Sequence, residues 1–252
     1  MNGTLTVNQA SLTVRAVNKS KTYGAVVPAL SYTATGFVNG DTEASLDTPV
    51  TISTTGTANS PVGTYPIVVG GASDANYKVT FANGTLTVSK ATLTISADSK
   101  SKVYGASLPA LTYAITGFVL GEAEANLATP VATSTTGTAT SSAGTYPINV
   151  SGASSANYTI TFKSGTLTVS KAPLTITADS KTKKQGTANP PFTASYSGFV
   201  NGDTAASLTT LVSFSTTAIT SSKVGNYPIT PKGAASSNYA ITFVNGTLII
   251  TP

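Results

Sequence analysis

The acidic residues of this sequence recur at one fixed place in three repeats. They follow the same Gly-Phe-Val-x-Gly segment each time, as Asp41, Glu122 and Asp203. Calcium needs several oxygen ligands that converge, and a second nearby acid, Glu43 in the first repeat, is replaced by Ala205 in the third. We therefore interpret the recurring acid as the N-cap of a short helical turn, and calcium near these three positions is the open alternative.

No other group of residues has the composition of a catalytic or metal site. Histidine and cysteine are both absent, which removes imidazole bases, thiolate nucleophiles and the usual zinc ligands. No pairing of acid with base, no nucleophile with its base and no phosphate-binding loop is present. The sequence predicts a protein that is not an enzyme, with no catalytic, cofactor-binding or metal-binding residues and no cofactor.

Lysines recur in pairs two residues apart, at Lys19/Lys21, Lys100/Lys102 and Lys181/Lys183, the last followed by Lys184. On a strand the two lysines of a pair share a face, so each repeat is expected to carry a basic spot. Such a spot could contact an anionic cell-surface polysaccharide, or it could protect an edge strand from pairing with other sheets. Self-formed Lys–Asn isopeptide bonds are not expected, because these lysines lie in hydrophilic stretches.

Charge and hydropathy exclude two further classes of partner. The net charge is +5 on 23 charged residues, Lys+Arg 14 and Asp+Glu 9, which is too sparse for a nucleic-acid-binding stripe. No apolar run approaches the roughly 20 residues of a membrane-spanning helix, so no membrane insertion is expected in this segment. No charged and then apolar leader is visible, and a secretion signal is expected to lie outside this piece.

These features belong to a strict sequence period of 81 residues. Gly-Phe recurs at Gly36, Gly117 and Gly198, and three such units plus nine residues account for all 252. A unit of this length suits one small domain. The predicted domains are 10–90, 91–171 and 172–252, and residues 1–9 are expected to be the last strand of a preceding repeat.

Alternating apolar and polar residues predict about six strands per repeat. The residues expected to face inward in the first repeat are Leu12, Val14, Ala16, Leu30, Tyr32, Ala34, Val50, Ile52, Tyr65, Ile67, Val69, Tyr77, Val79, Phe81, Leu86 and Val88. A two-residue turn at Asn83-Gly84 would join the last two strands as a hairpin, and the only helical candidate is Asp41–Leu46. Gly63-Thr64-Tyr65 resembles a tyrosine corner, and the proline after the tyrosine predicts that this strand begins at, or lies on, a sheet edge.

The predicted fold class is all-β, with three tandem Ig-like β-sandwich domains in an elongated array. Each domain would contain at most one short helical turn. A β-grasp-like arrangement of the same strands is an alternative, because the sequence does not reveal strand order.

The repeats resemble the MBG domain, a mostly β, glycine-rich module, in its YGX type. The resemblance rests on Lys-Thr-Tyr-Gly-Ala (Lys21–Ala25), Gly36–Asp41, Val62–Ile67 and Ala75–Val88, and it extends over essentially the whole chain. The third repeat departs at the name-giving tyrosine, which is replaced by Gln185. The resemblance implies a tandem-repeat region of a large bacterial surface or secreted, adhesin-like protein, without catalytic residues.

The expected function is that of a non-enzymatic stalk or spacer at the bacterial cell surface or outside the cell. Its expected partners are the neighbouring repeats of the same chain. One alternative is a module that binds glycan or protein through loops or lysine-bearing faces, and another is a filament subunit that exchanges strands.

Overall fold

The computed structural model describes residues 2–252, and its regular structure is almost entirely β. Repeat 1 contains β1 (Ala10–Ala16), β2 (Lys19–Thr22), β3 (Tyr32–Thr35), β4 (Thr51–Thr54), β5 (Gly63–Gly70), β6 (Tyr77–Ala82) and β7 (Gly84–Ser89). Repeat 2 contains β8 (Ala91–Ala97), β9 (Lys100–Val103), β10 (Tyr113–Thr116), β11 (Ala132–Thr135), β12 (Gly144–Ser151), β13 (Tyr158–Lys163) and β14 (Gly165–Ser170). Repeat 3 contains β15 (Ala172–Ala178), β16 (Lys181–Lys184), β17 (Ala194–Ser197), β18 (Ser213–Ser215), β19 (Gly225–Lys232), β20 (Tyr239–Val244) and β21 (Gly246–Thr251).

In the described part of the chain, helical structure is confined to one 3₁₀ turn per repeat, at Glu43–Ser45, Glu124–Asn126 and Ala205–Ser207. Within residues 2–252, no helix has the length and apolar character needed to cross a membrane. The expected all-β class with three tandem repeats is confirmed, with seven strands per repeat where about six were predicted.

Every repeat has the same strand order in two sheets, one of three strands and one of four. In repeat 1 these orders are β3-β1-β6 and β2-β7-β5-β4, and the other repeats reproduce them. The neighbours β1 and β6 run parallel, as do β2 and β7, whereas β1–β3, β4–β5 and β5–β7 are antiparallel. The sheets are therefore mixed, and the first two strands of a repeat lie beside its last two, β1 beside β6 and β2 beside β7.

The predicted hairpin at Asn83-Gly84 is wrong, because β6 and β7 lie in different sheets. Neither residue has the positive φ that a two-residue type I′ turn requires. The Oδ1 atom of Asn83 instead accepts a hydrogen bond from the backbone N–H of Val69 at 3.3 Å. A Cβ at Gly84 would lie 3.0 Å from the carbonyl oxygen of Ala16, so this glycine permits a close approach between two chain segments where each changes sheet.

The core of repeat 1 joins the two sheets through residues that the alternation places inward. Its buried cluster consists of Val14, Ala16, Ile67, Val69 and Leu86. Phe81 was also predicted to face inward, but it is 42% exposed, and it lies on β6, an edge strand. Repeat 3 has an equivalent cluster formed by Ala178, Ala218, Ile229, Leu248 and Ile250.

The tyrosine corner is present, and its strand begins at a sheet edge and becomes internal further along. The hydroxyl of Tyr65 donates to the carbonyl oxygen of Pro61 at 2.9 Å, as a tyrosine corner requires. Strand β5 lies between β7 and β4, but its first residues pair only with β7, so the strand begins at a sheet edge, as one form of the prediction has it. Pro66 is tolerated because the pairing with β4 begins only at Ile67, where it meets Thr54.

Residues 2–9 belong to no strand, and their apolar side chains Leu5 and Val7 are 88% and 85% exposed. Contacts between Cα atoms divide the chain into two compact units. The first is Met1–Ile95, Ile115–Ala132 and Ser151–Phe162, and the second is Ser96–Ala114, Thr133–Val150 and Lys163–Pro252. Each boundary between consecutive repeats lies inside one unit, and the domain bounds drawn from the period stay a prediction.

Candidate functional site

A tyrosine from repeat 1 is inserted into repeat 2 at the boundary between them. Tyr23 lies in the turn after β2 and is only 6% exposed. Its hydroxyl donates to Oε1 of Glu122 at 2.8 Å, and the hydroxyl of Tyr158 donates to Oε2 of the same carboxylate. The two tyrosine rings meet edge to face, with centroids 5.6 Å apart. One carboxylate thus holds a tyrosine from each of two repeats.

The boundary between repeats 2 and 3 has the same construction. The hydroxyl of Tyr104 donates to Oδ2 of Asp203 at 3.0 Å, and that of Tyr239 donates to the same oxygen at 2.8 Å. The ring centroids are 5.5 Å apart at 88°. We call each of these arrangements a tyrosine joint.

The receiving half of a joint, which we call the socket, consists of Val119, Glu122, Asn157 and Tyr158 in repeat 2. In repeat 3 the socket is formed by Val200, Asp203, Asn238 and Tyr239, and the corresponding residues of repeat 1 are Val38, Asp41, Asn76 and Tyr77. The inserted half is a Tyr-Gly turn, Tyr23-Gly24 or Tyr104-Gly105.

The Gly-Phe motif holds the socket tyrosine in place. Phe118 packs edge to face on Tyr158 with ring centroids 5.6 Å apart. The backbone N–H of Val119 donates to the hydroxyl of Tyr158 at 3.0 Å, so that hydroxyl accepts one hydrogen bond and donates another to Glu122. The motif and the acid five residues later therefore form one structure around a single tyrosine.

Apolar packing and backbone contacts complete the first joint. Tyr23, Val88, Leu93 and Tyr158 form one buried cluster that includes residues of both repeats. The Oδ1 atom of Asn157 accepts from the N–H of Val62 at 3.1 Å. In the second joint Asn238 accepts likewise from Ala143 at 3.0 Å, and lysines at both boundaries, Lys90 and Lys171, donate to carbonyl oxygens of the following repeat.

The glycine of the turn is required by close packing. Gly24 has φ of +81°, and a Cβ there would lie 2.4 Å from Cγ2 of Val119. Gly105 meets Val200 at the same distance. The turn can enter the socket only because this position has no side chain.

The interpretation of Asp41, Glu122 and Asp203 as N-caps is wrong. The 3₁₀ turn of repeat 1 begins at Glu43, and the N–H of Thr42 is satisfied by the hydroxyl of Ser45 at 3.2 Å. Asp41 accepts from the hydroxyl of Tyr77 at 2.8 Å. Asp41 can accept from Tyr77 because the turn is capped by Ser45, a residue within the turn.

No group of three or more acidic side chains in residues 2–252 has the arrangement of a metal site. The carboxylates of the three recurring acids are engaged with tyrosine hydroxyls. The alternative of calcium at these positions therefore has no supporting contact in the described part of the chain.

One lysine of each pair is buried and does not contribute to the expected basic spot. Lys21, Lys102 and Lys183 are 7%, 7% and 6% exposed. The Nζ of Lys21 donates to the carbonyl oxygens of Ala25 and Ala58, each at 3.1 Å, and so ties the Tyr-Gly turn to a second loop. Burial lowers the pKa of Lys21. Neither polysaccharide contact nor edge protection suits a buried lysine, and its partners are carbonyl oxygens rather than an acid.

Sequence reasoning did not find the joints. Tyr23 and Glu122 are 99 residues apart, so no local pattern connects them. A signal does exist: the acid is present in all three repeats, whereas the tyrosine is present at Tyr23 and Tyr104 and replaced at Gln185. The tyrosine thus occurs in each repeat that is followed by another acid-bearing repeat in this sequence.

The joints predict a loss of stability at alkaline pH. Burial, followed by the hydrogen bond to Glu122, raises the pKa of Tyr158 to about 12, and burial raises that of Tyr239 to about 12. The neutral tyrosine is favoured in the folded protein, so this stabilisation is complete below about pH 10, the pKa of an unfolded tyrosine, and is lost as the pH rises to about 12. Urea unfolding of the wild-type chain should show a free energy of unfolding that falls as the pH rises over this range, and Tyr158→Phe should make this slope shallower. Equal slopes for the two proteins would contradict the assignment.

Comparison with known proteins agrees with the repeat structure. The family model described as MBG domain (YGX type) matches residues 12–87, 93–168 and 174–249. No curated protein matches the chain. Among solved structures, the three N-terminal domains of the bacteriophage RB49 Highly Immunogenic Outer Capsid protein (Hoc) align over 97% of this chain and 99% of that one, with 12% identity and a TM-score of 0.30. Similarity at that level is too low to establish a shared fold.

Proposed function

The chain belongs to the MBG domain family of YGX type, and from this premise we propose that it is a non-catalytic spacer region of an extracellular or cell-surface bacterial protein of the adhesin-like kind. The observation that supports the proposal is the tyrosine joint, which recurs at both repeat boundaries with the same contacts. Its partners in this role are the neighbouring repeats of the same chain.

A spacer must hold its neighbouring repeats in a defined relative orientation. A joint does this only if it restricts bending between them. Each tyrosine joint combines two hydrogen bonds to one carboxylate, an edge-to-face ring pair and a glycine packed on a valine. A hydrogen bond to a charged group contributes about 1.5–3 kcal/mol. Several such contacts at different points of one boundary oppose rotation about any single axis.

The alternative of a lysine-bearing binding face is weakened, because the second lysine of each pair is buried. The spacer proposal requires no ligand surface. A glycan array on which the full chain binds strongly would favour the alternative.

Restricted bending at the first joint can be measured by pulsed electron spin resonance. The chain has no native cysteine, so spin labels on Ser53→Cys in repeat 1 and Thr159→Cys in repeat 2 would be specific. We expect a narrow distance distribution that broadens at least about twofold when Tyr23→Ala removes two of the joint's contacts. Tyr104→Ala is the matched control, because it opens only the second joint and should leave this distribution narrow.

A broad distribution in the wild-type background would contradict the spacer proposal. An unchanged distribution in the Tyr23→Ala protein would show that the linker, and not the joint, sets the angle.

A further inference from the structure

We propose that Asn39 and Asn201 are sites of spontaneous deamidation, at which asparagine becomes aspartate or isoaspartate with time, and that the change at Asn201 loosens the second tyrosine joint. The proposal concerns a covalent modification of the chain and does not depend on the spacer role. It rests on how the fold holds each Asn-Gly dipeptide of the repeats.

Deamidation at an Asn-Gly dipeptide is a reaction of the chain with itself and with water. The backbone nitrogen of the glycine loses its proton to hydroxide and attacks Cγ of the asparagine. A C–N bond forms and closes a five-membered succinimide, and the side-chain amide nitrogen leaves as ammonia. Water then opens the ring at either carbonyl, which gives aspartate or isoaspartate without any oxidant or reductant. The reaction requires a free glycine nitrogen and a backbone that can rotate toward the side chain.

Four Asn-Gly dipeptides lie within the three repeats, and the fold divides them into two kinds. Those at Asn39 and Asn201 occupy the turn that leads into the recurring acid, and those at Asn83 and Asn245 lead into the last strand of a repeat. Repeat 2 has no Asn-Gly dipeptide. The chain thus contains two dipeptides of each kind and one repeat without any.

The dipeptide at Asn39 is exposed and unrestrained. Asn39 and Gly40 are the central residues of a tight turn, with φ of +58° and +80°, and the N–H of Asp41 closes this turn by donating to Val38 at 3.0 Å. Both central residues are exposed, and a Cβ at Gly40 would meet nothing within 4 Å. In the described part of the chain, neither the side chain of Asn39 nor the N–H of Gly40 makes a hydrogen bond. The glycine nitrogen is therefore free to react.

The dipeptide at Asn201 has the same geometry. Asn201 and Gly202 have φ of +56° and +77°, and the N–H of Asp203 donates to Val200 at 2.9 Å. Both central residues are again exposed, and a Cβ at Gly202 would meet nothing within 4 Å. Both turns therefore meet the requirements of the reaction.

The second kind of dipeptide is fixed by the fold. Gly84 is buried at the start of β7, where it pairs with Ile67 of β5. A Cβ there would lie 3.0 Å from the carbonyl oxygen of Ala16, and a Cβ at Gly246 would lie 2.3 Å from that of Ala178. Because the backbone is packed this closely, the glycine nitrogen can reach the asparagine side chain only after the start of the strand opens locally.

Deamidation at Asn201 would act on the second tyrosine joint, because this residue lies between the socket residues Val200 and Asp203. Isoaspartate adds a methylene group to the main chain of a turn that has only two central residues, and so displaces the two socket residues relative to each other. Val200 packs on Gly105, and Asp203 accepts from the hydroxyl of Tyr104. The new carboxylate also places a second negative charge two residues from Asp203. Both changes weaken the joint.

The first joint lacks this site. Its socket has Leu120 at the position of Asn201, with φ of +57°, and the N–H of Glu122 closes the same turn by donating to Val119 at 3.0 Å. Leucine has no side-chain amide that the glycine nitrogen could displace. The first joint should therefore keep its structure while the second one ages, and Leu120 shows a residue that the turn accepts with an almost unchanged backbone.

Peptide mapping by mass spectrometry tests the modification itself. The full chain would be kept folded at mildly alkaline pH, and a parallel sample would be kept unfolded in urea. In the folded chain we expect deamidation at Asn39 and Asn201 to be at least about tenfold faster than at Asn83 and Asn245, because the latter react only from locally opened states. In urea the four rates should become similar. Equal rates at the four positions of the folded chain, or a faster reaction at Asn83 or Asn245, would overturn the proposal.

Spin labels on Ser134→Cys in repeat 2 and Ala240→Cys in repeat 3 test the effect on the second joint. We expect a narrow distance distribution in fresh protein, and a distribution at least about twofold broader once Asn201 has been converted. The matched control is Asn201→Leu, which copies Leu120 and should remain narrow after the same treatment. The label pair across the first joint should also remain narrow in the aged protein.

The effect on the joint is overturned if fresh and aged protein give the same distribution, or if the Asn201→Leu protein broadens as much on ageing. A broad distribution in fresh protein would overturn both this effect and the spacer proposal. Peptide mapping would still decide on the modification, because it measures the chemistry and not the orientation of the repeats.

Discussion

Replacing Gly24 with alanine is expected to open the first tyrosine joint and to lower the free energy of unfolding by about 3 kcal/mol. The left-handed backbone costs a residue with a Cβ about 1–2 kcal/mol, and forcing extra atoms into a packed site costs about 1–3 kcal/mol more. The new methyl group would lie 2.4 Å from one carbon of Val119 and 2.6 Å from another, so the turn must retreat from the socket. Urea unfolding would measure the loss.

Gly186→Ala is the matched control for this prediction. It has the same φ, but its Cβ would be in open space, so only the backbone cost of about 1–2 kcal/mol should appear. If Gly24→Ala and Gly186→Ala cost the same, the tight approach of the turn to Val119 does not contribute to stability.

Replacing Lys183 with methionine is expected to lower the free energy of unfolding by about 2 kcal/mol. The Nζ of Lys183 donates to the carbonyl oxygens of Thr187 at 3.0 Å and Ile219 at 2.9 Å. Methionine has a similar length but cannot donate, so the carbonyl oxygen of Thr187 loses this hydrogen bond and that of Ile219 keeps only the N–H of Ser222. The turn also loses its tie to the second loop. Part of the cost is offset because a charge no longer has to be buried.

Lys184→Met is the control, because Lys184 is the exposed neighbour on the same strand. A surface substitution of this kind usually changes stability by less than about 0.5 kcal/mol. Equal losses for the two variants in urea unfolding would show that the internal hydrogen bonds of Lys183 are not what stabilises the repeat.

The buried lysine also explains why one strand per repeat escaped prediction. Strand β2 has the sequence Lys-Ser-Lys-Thr, which contains no apolar residue and so cannot be recognised by an alternation of apolar and polar residues. Its inward residue is Lys21, which is buried because two loop carbonyls satisfy its charge. Alternation found the other strands because their buried faces are apolar.

Pairing between strands was harder to predict than their existence. The apolar positions are odd-numbered in β6, ending at Phe81, and even-numbered in β7, from Leu86 on. This change at Asn83-Gly84 fits a two-residue hairpin as well as a crossing between sheets. What decides between them is the approach of Gly84 to Ala16, which is a contact across 68 residues of sequence. The tyrosine joints were missed for the same reason, because their partners are supplied by the next repeat.

The parallel pairing of the first two strands of a repeat with its last two determines how the repeat would bear a stretching force. In repeat 1 the entering strands β1 and β2 lie beside the leaving strands β6 and β7 and run in the same direction. A pull on the two ends of the repeat would slide these neighbours along each other, so their hydrogen bonds would be loaded together, in shear, and would not open one at a time. Repeat 3 has the same pairs, β15 with β20 and β16 with β21. The strand order that places the entering strands parallel to the leaving strands thus gives each of these repeats a mechanical clamp.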